Sequence, residues 1–123
     1  ILDYGCGAGR LSKCLEPLVV QNYDPGVSKY AQQPQPADLV VCTDVLEHVE
    51  PECVDDVLAH LHSCTLGVAY ITICGIPAKG TLPDGRNLHL VQQQHNWWWP
   101  RLQAAGFSMI DCDHKQMHYT LRA

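Results

Sequence analysis

The stretch "ILDYGCGAGR" at residues 1–10 limits most tightly what this chain can fold into. Ile1 and Leu2 lead into Asp3, after which Gly5, Gly7 and Gly9 alternate with other residues. A short apolar run followed by alternating glycines reads as a strand entering a tight turn, where the backbone can approach a ligand closely. The next helix then packs back on the strand, which is how an α/β unit begins. The turn alone does not say what it holds. Turns of this kind cradle nicotinamide and flavin dinucleotides, nucleoside phosphates and S-adenosylmethionine.

The rest of the chain keeps the α/β alternation. Gly9 to Glu16 reads as a short helix with Leu11, Cys14 and Leu15 on one face, ended by Pro17. Leu18 to Tyr23 reads as a second strand, closed by the turn Asp24-Pro25-Gly26. Residues 27–37 are polar and proline-spaced, and hold a helical turn at most. Leu39 to Thr43 is a continuous apolar run, expected to be buried on both faces of a parallel sheet. Pro51 starts a helix that carries Val54, Val57, Leu58 and Leu61 at helical spacing, and Gly67 to Cys74 follows as a fourth strand. The segment 75–96 is longer than compact domains usually leave irregular, so a functional loop is expected there. "NWWWPRLQAAGF" reads as a helix capped by Asn96 and terminated by Gly106, with Pro100 awkward outside the first turn. Phe107 to Asp111 and Met117 to Leu121 read as a closing antiparallel pair. The expected fold is therefore α/β, a mostly parallel sheet with right-handed crossovers. Its ligand edge lies at the carboxyl ends of the strands, which collects Gly5 to Gly9, Asp24 and Thr43 to His48.

Length and composition fit one globular domain over residues 1–123, with an apolar fraction of 46% and a charged fraction of 17%. The formal net charge of -5, without a run of basic residues, argues against duplex DNA or an anionic membrane as partner. No apolar stretch approaches the roughly 20 residues of a membrane helix. The chain opens within a strand and without Met, so upstream residues are expected. Seven cysteines without a C-x-x-C pair read as reduced, mostly buried thiols of a cytoplasmic protein, and a zinc site built from the cysteines is not expected.

Three segments together carry a resemblance. "ILDYGCGAG", "NYDP" and "ADLVVCTDVLEHV" are similar, in order, to the first, second and fourth signatures of the class I S-adenosylmethionine-dependent methyltransferases. The resemblance implies a three-layer Rossmann-like fold and S-adenosylmethionine as cofactor. It implies a cofactor seat made of Asp3, Gly5, Cys6, Gly7, Gly9, Asp24, Pro25, Thr43, Val45 and Leu46. In that seat the turn's backbone N–H groups and close approach serve the methionine portion and Asp3 the ammonium end. Asp24, an acceptor when ionised, serves the two ribose hydroxyls. Val45 and Leu46 stand near the adenine. A turn-stabilising role is the alternative for Asp3 and Asp24. The sequence departs from the family at one place. Only residues 25–38 separate the second and fourth signatures, too few for the usual helix and strand, so the third signature is absent and the adenine pocket abridged. Compact versions of this kind are similar to methyltransferases of phage genomes.

Asp44, Glu47 and His48 fall on one face if the chain turns helical after the third strand. The pattern resembles the E-x-x-E-H motif of two metal-assisted groups, the small-RNA 2′-O-methyltransferases and the ubiquinone-pathway O-methyltransferases, with Asp44 in place of the first Glu. In those groups a later histidine completes the site, and His89 stands in a comparable place. Three roles stay open: a Mg²⁺ or Mn²⁺ site of Asp44, Glu47, His48 and His89; metal-free catalysis with His48 or His89 as general base; and a structural role. Lys79, Arg86, His89, His95 and Arg101 gather positive charge before and around Trp97, Trp98 and Trp99. They suit a lid for a planar or anionic acceptor, or the tryptophans simply pack the last helix on the sheet. Arg86 at the exit of "DGR" is expected to project into the site, whereas His60, His62, His114 and His118 are assigned nothing. The expected reaction is methyl transfer to an oxygen or nitrogen of a small molecule or sugar. An RNA 2′-hydroxyl comes next. A non-catalytic methyltransferase-like scaffold and a nicotinamide-binding domain are the rivals, the latter disfavoured by the glycine spacing.

Overall fold

A computed structural model describes all 123 residues, Ile1–Ala123. Its elements follow in the order β1 (Leu2–Tyr4), α1 (Arg10–Cys14), β2 (Gln21–Tyr23), β3 (Ala37–Thr43), α2 (Val54–Ser63), β4 (Thr65–Thr72), α3 (His95–Ala104), β5 (Ser108–Asp113) and β6 (His118–Arg122). The six strands form one sheet in the order β2-β1-β3-β4-β6-β5. The pairs β1–β2, β1–β3 and β3–β4 are parallel, and β4–β6 and β5–β6 antiparallel. This is the expected mostly parallel sheet with its antiparallel end.

The direction of each crossover decides which face each helix covers. From β1 the chain steps outward to β2 through α1, whereas from β3 it steps the opposite way to β4 through α2. Right-handed connections therefore put α1 and α2 on opposite faces. Side chains agree. Val54, Leu58 and Leu61 of α2 and Trp98 and Leu102 of α3 join Leu2, Val40, Cys42, Ala69, Ile71, Tyr119 and Leu121 in one buried core. The other face carries α1 alone, which buries no residue fully. The third strand is consequently not buried on both faces. Only Val40 and Cys42 of β3 are fully buried, and Leu39 and Val41 opposite remain half-exposed. Tyr70 and Leu66 on β4 are exposed for the same reason. The short 25–38 segment supplies no second helix to cover them.

Several boundaries differ from the sequence reading. Leu18 and Val19 lie outside the second strand, exposed, because the ladder starts where Gln21 N donates to Ile1 O (2.9 Å). The fourth strand begins earlier, at Thr65, paired with Ala37 across a bulge in β3. The third helix starts at His95 with Gln94 at its cap, so Asn96 is not the cap, and Pro100 sits inside the helix beyond the first turn. Gly106 does end that helix, at φ 110. No helix is long and apolar enough to cross a membrane.

Candidate active site at the carboxyl edge of the sheet

The glycine turn is closed by backbone bonds from Gly5 N and Cys6 N to Tyr23 O (2.8 and 3.0 Å) and from Gly9 N to Cys6 O (2.8 Å). Gly5 has φ 80, and a Cβ there would overlap Cγ2 of Val45 and stand 2.7 Å from its Cγ1. Gly7 has φ 51 and nothing within 4 Å of where a Cβ would point. The first glycine thus lets the turn pack against the loop after β3, and a Cβ on the second would point into open space. Gly7 N donates to Oδ2 of Asp24 (2.8 Å), and Oδ1 of Asp24 accepts from Gly26 N (2.9 Å). Most of the turn's donors are therefore spent inside the chain, with the Ala8 N–H left over. Of the backbone N–H groups expected to serve the methionine portion, the turn itself leaves that of Ala8 without a partner, beside the close approach its glycines allow. Asp24 does stabilise its own turn, yet a carboxylate has about four lone-pair positions and two remain.

Two clefts flank this turn. The larger, of 690 Å³, is lined among others by Gly5, Tyr23, Asp24, Pro25, Val45 and His48. The smaller, of 380 Å³, is lined by Asp3, Gly5, Cys6, Arg10 and Thr43, with Ala8 and Leu11 closing it. Gly5 belongs to both. Asp3 is 6% exposed, and its side chain makes no hydrogen bond. Burial, and secondarily the charge of Asp24, hold its carboxyl above the ordinary range, so the small cleft favours a cationic ligand group. Leu46 is not a wall of either cleft. It is fully buried in the core, carried there by the 3-10 turn Leu46–His48.

One wall of the large cleft escaped the sequence reading. His60, assigned no role from sequence, stands on α2 between Tyr4 and Tyr23, with its ring 5.6 Å from each. Its Nδ1 is 2.7 Å from Tyr4 Oη, and its Nε2 is 2.7 Å from Nε2 of Gln33. The Gln33 amide donates to Nε2, which leaves Nδ1–H to donate to Tyr4. Val57 and Asp56 of α2 complete this wall. The only hint in the sequence was Tyr23 beside Asp24.

The expected metal constellation assembles in part. Asp44 adopts φ 54 and Val45 φ -122, so no helix forms through them and the i, i+3, i+4 spacing does not operate. Asp44 instead accepts from Thr72 Oγ1 (3.3 Å) and borders the large cleft. Glu47, His48 and His89 do converge, each with one ligand atom within 4.8 Å of the others. Glu47 is fully buried; Oε1 accepts from Cys74 N (2.9 Å) and Oε2 has no partner. Burial pushes its carboxyl above the ordinary value. His48 Nδ1 lies 2.9 Å from Leu88 O and His89 Nδ1 2.6 Å from Ile76 O. A carbonyl only accepts, so both Nδ1 atoms carry hydrogen and both Nε2 lone pairs are free when the rings are neutral.

The charged loop is fastened rather than lid-like. Arg86 forks onto Glu50 (2.7 and 2.9 Å) and bonds Asp84 (2.8 Å), so it does not project into the site. Arg101 lies 3.6 Å over the Trp97 ring and pairs with Asp55 at 3.5 Å. Trp98 is fully buried and Trp97 and Trp99 pack on the same core, so the tryptophans hold α3 on the sheet. Neither cleft is lined by a tryptophan.

A family described as "Methyltransferase domain" matches residues 1–114. The chain belongs to the class I S-adenosylmethionine-dependent methyltransferases. Among solved structures, this methyltransferase is similar to magnesium protoporphyrin IX methyltransferase (ChlM) from Synechocystis PCC 6803 with bound SAH, at 21% identity and TM-score 0.64. That likeness covers 98% of this chain and 71% of the other. The DhpI–SAH complex gives 18% identity, TM-score 0.67 and coverage of 98% and 74%. The 1,6-didemethyltoxoflavin-N1-methyltransferase of Burkholderia thailandensis gives 18%, 0.62, 98% and 68%. No curated protein is matched by the sequence. In this methyltransferase α2 supplies the wall beside the second strand, where residues 25–38 are too short to build one.

Proposed function

We propose that this domain transfers the methyl group of S-adenosylmethionine to an oxygen or nitrogen of a small-molecule or sugar acceptor. The observation that carries the reading is the pair of clefts joined at Gly5, with Asp24 on one side and Asp3 on the other. A ligand with a ribose diol in its middle and an ammonium at one end suits that order. Asp24 offers its spare lone pairs to the diol, Asp3 faces the ammonium, and Tyr23, Pro25 and Val45 flank the adenine. When bound, the cofactor would supply a sulfonium methyl: an acceptor lone pair bonds to that carbon in line as its bond to sulfur breaks, and S-adenosylhomocysteine leaves. His48, at the rim of the large cleft, takes the acceptor's proton on Nε2, which its bond to Leu88 leaves free. Holding the acceptor in line then supplies much of the rate.

A small acceptor is favoured over RNA because the chain is acidic overall and two of the cations gathered around the loop and α3 are held by carboxylates, leaving Lys79 exposed without an acidic partner. Arg86 is held by Glu50 and Asp84, and Arg101 by Asp55. Two of the similar structures, the porphyrin and toxoflavin methyltransferases, are named for small acceptors. Calorimetric titration with S-adenosylmethionine tests the reading. Saturable one-to-one binding is expected, and a folded sample that does not bind would favour a non-catalytic scaffold.

A second reading, metal assistance, draws on Glu47, His48 and His89. The buried, unpartnered Oε2 of Glu47 and two free Nε2 atoms fit a divalent cation, and an imidazole-rich set favours Mn²⁺ over Mg²⁺. Such a cation would lower the pKa of an acceptor hydroxyl. Without one, Glu47 weakens the fold at neutral pH. Its raised pKa means the folded chain keeps a proton that the unfolded chain loses near 4.5. Stability therefore falls as pH rises from there to the raised value, and then levels. Glu47→Gln keeps the acceptor for Cys74 N and removes the charge. We expect it to stabilise the metal-free chain by about 1 kcal/mol at neutral pH, with the gain vanishing in acid. Urea melts at both pH values check this. If metal assistance holds, Mn²⁺ raises the melting temperature of the wild type and not of Glu47→Gln.

A further inference from the structure

A second cluster of donors lies on elements that the cleft does not use. Cys112 and His114 stand at the end of β5 and the start of its turn, and His95 opens α3. Nδ1 of His114 is 3.4 Å from Sγ of Cys112 and 3.1 Å from Nε2 of His95. All three residues offer one ligand atom within 4.8 Å of the others. We propose that His95, Cys112 and His114 bind a borderline-soft divalent cation, zinc above all, which ties the start of α3 to the β5–β6 hairpin.

Donor spacing supports this directly. Tetrahedral zinc with its usual Zn–N and Zn–S lengths separates two nitrogens by about 3.3 Å and a nitrogen from a sulfur by about 3.6 Å. The observed 3.1 and 3.4 Å need shifts of only a few tenths of an ångström. Donor type agrees as well. One thiolate with two imidazoles suits zinc, and suits neither magnesium nor calcium. Two imidazole nitrogens at this distance are joined either by one ring's N–H or by a cation.

The surroundings are those of a ligand set. Nδ1 of His95 lies 3.1 Å from Oη of the fully buried Tyr119. With Nδ1–H donating there, the Nε2 lone pair points at His114, which is how outer partners orient a metal-ligating histidine. Asp111 and Asp113 flank Cys112 and add negative charge, while Asp113 Oδ1 also holds Lys115 N and Gln116 N (3.0 and 3.1 Å). A surface cleft lined by Gln94, His95, Asn96 and His114 leaves a fourth position for water. A thiol ligates as the thiolate, so binding would release its proton to solvent. In the sequence the cluster was hidden because its members are split as C-x-H and a histidine on another element.

The test is titration of the reduced full chain with Co²⁺ at neutral pH. One equivalent is expected to produce a thiolate-to-cobalt charge-transfer band, which Zn²⁺ then bleaches. Cys112→Ser is expected to lose the band, and His114→Ala, at an exposed position, to weaken binding at least tenfold. Both variants should melt near the wild type without metal, and Zn²⁺ should raise the melting temperature of the wild type alone. The Glu47 cluster has no thiolate and cannot produce the band. Absence of the band in the wild type, or its persistence in Cys112→Ser, would overturn the proposal.

Discussion

Asp24→Ala is expected to cut affinity for S-adenosylmethionine by about 100-fold or more while leaving the chain folded. The carboxylate already holds Gly7 N and Gly26 N, and its remaining lone pairs are those proposed for the ribose hydroxyls. A hydrogen bond to a charged group contributes about 1.5–3 kcal/mol, and each 1.4 kcal/mol is about tenfold in affinity. Two such bonds give the predicted loss even after partial compensation by water. The turn loses a partner for Gly7 N, but that group borders solvent and water can replace it. Asp24→Asn is the sharper comparison. It keeps the shape and one acceptor oxygen, so its affinity should fall between the two. Calorimetric titration of the three proteins, each first checked by thermal melting, measures the effect. Unchanged affinity in Asp24→Ala would remove the ribose from this cleft.

Local pattern revealed the parts of the fold that local chemistry decides. Gly106 ends α3 because a left-handed residue is needed there, and Val54, Leu58 and Leu61 reach the core because helical spacing puts them on one stripe. What stayed hidden depends on partners far away in the chain. Arg86 is withdrawn from the site by Glu50, 36 residues earlier, and no local feature announces that pairing. His60 enters the cleft wall because Tyr4 and Gln33 meet it there, 56 and 27 residues away. The open face of β3 follows from what residues 25–38 lack, and an apolar run such as Leu39 to Thr43 reads the same whether one or both faces are covered. Asp44 shows the limit within the site itself. Its left-handed backbone breaks the helix that the i, i+3, i+4 spacing presumed, so Glu47 and His48 find His89 without it.

Gly5→Ala tests whether the turn's shape is set by the loop behind it. At φ 80 an added Cβ pays the left-handed penalty of about 1–2 kcal/mol. It also overlaps the Val45 side chain, and overpacking of this kind costs about 1–3 kcal/mol. A total near 3 kcal/mol lowers the melting temperature of a domain this size by roughly 10 °C. The two costs can be separated. Val45→Ala removes both γ-carbons, so the double variant should regain the steric part and keep the backbone part, a coupling readable as a double-mutant cycle. Gly7→Ala is the counterpart, with φ 51 and open space where its Cβ would point. It should cost only the backbone penalty in stability yet obstruct the cofactor, reducing binding more than folding. The order therefore inverts between the two glycines: Gly5 chiefly protects the fold and Gly7 chiefly the ligand. Equal stability losses at both positions would mean that Val45 yields freely, and that the turn does not depend on the loop after β3.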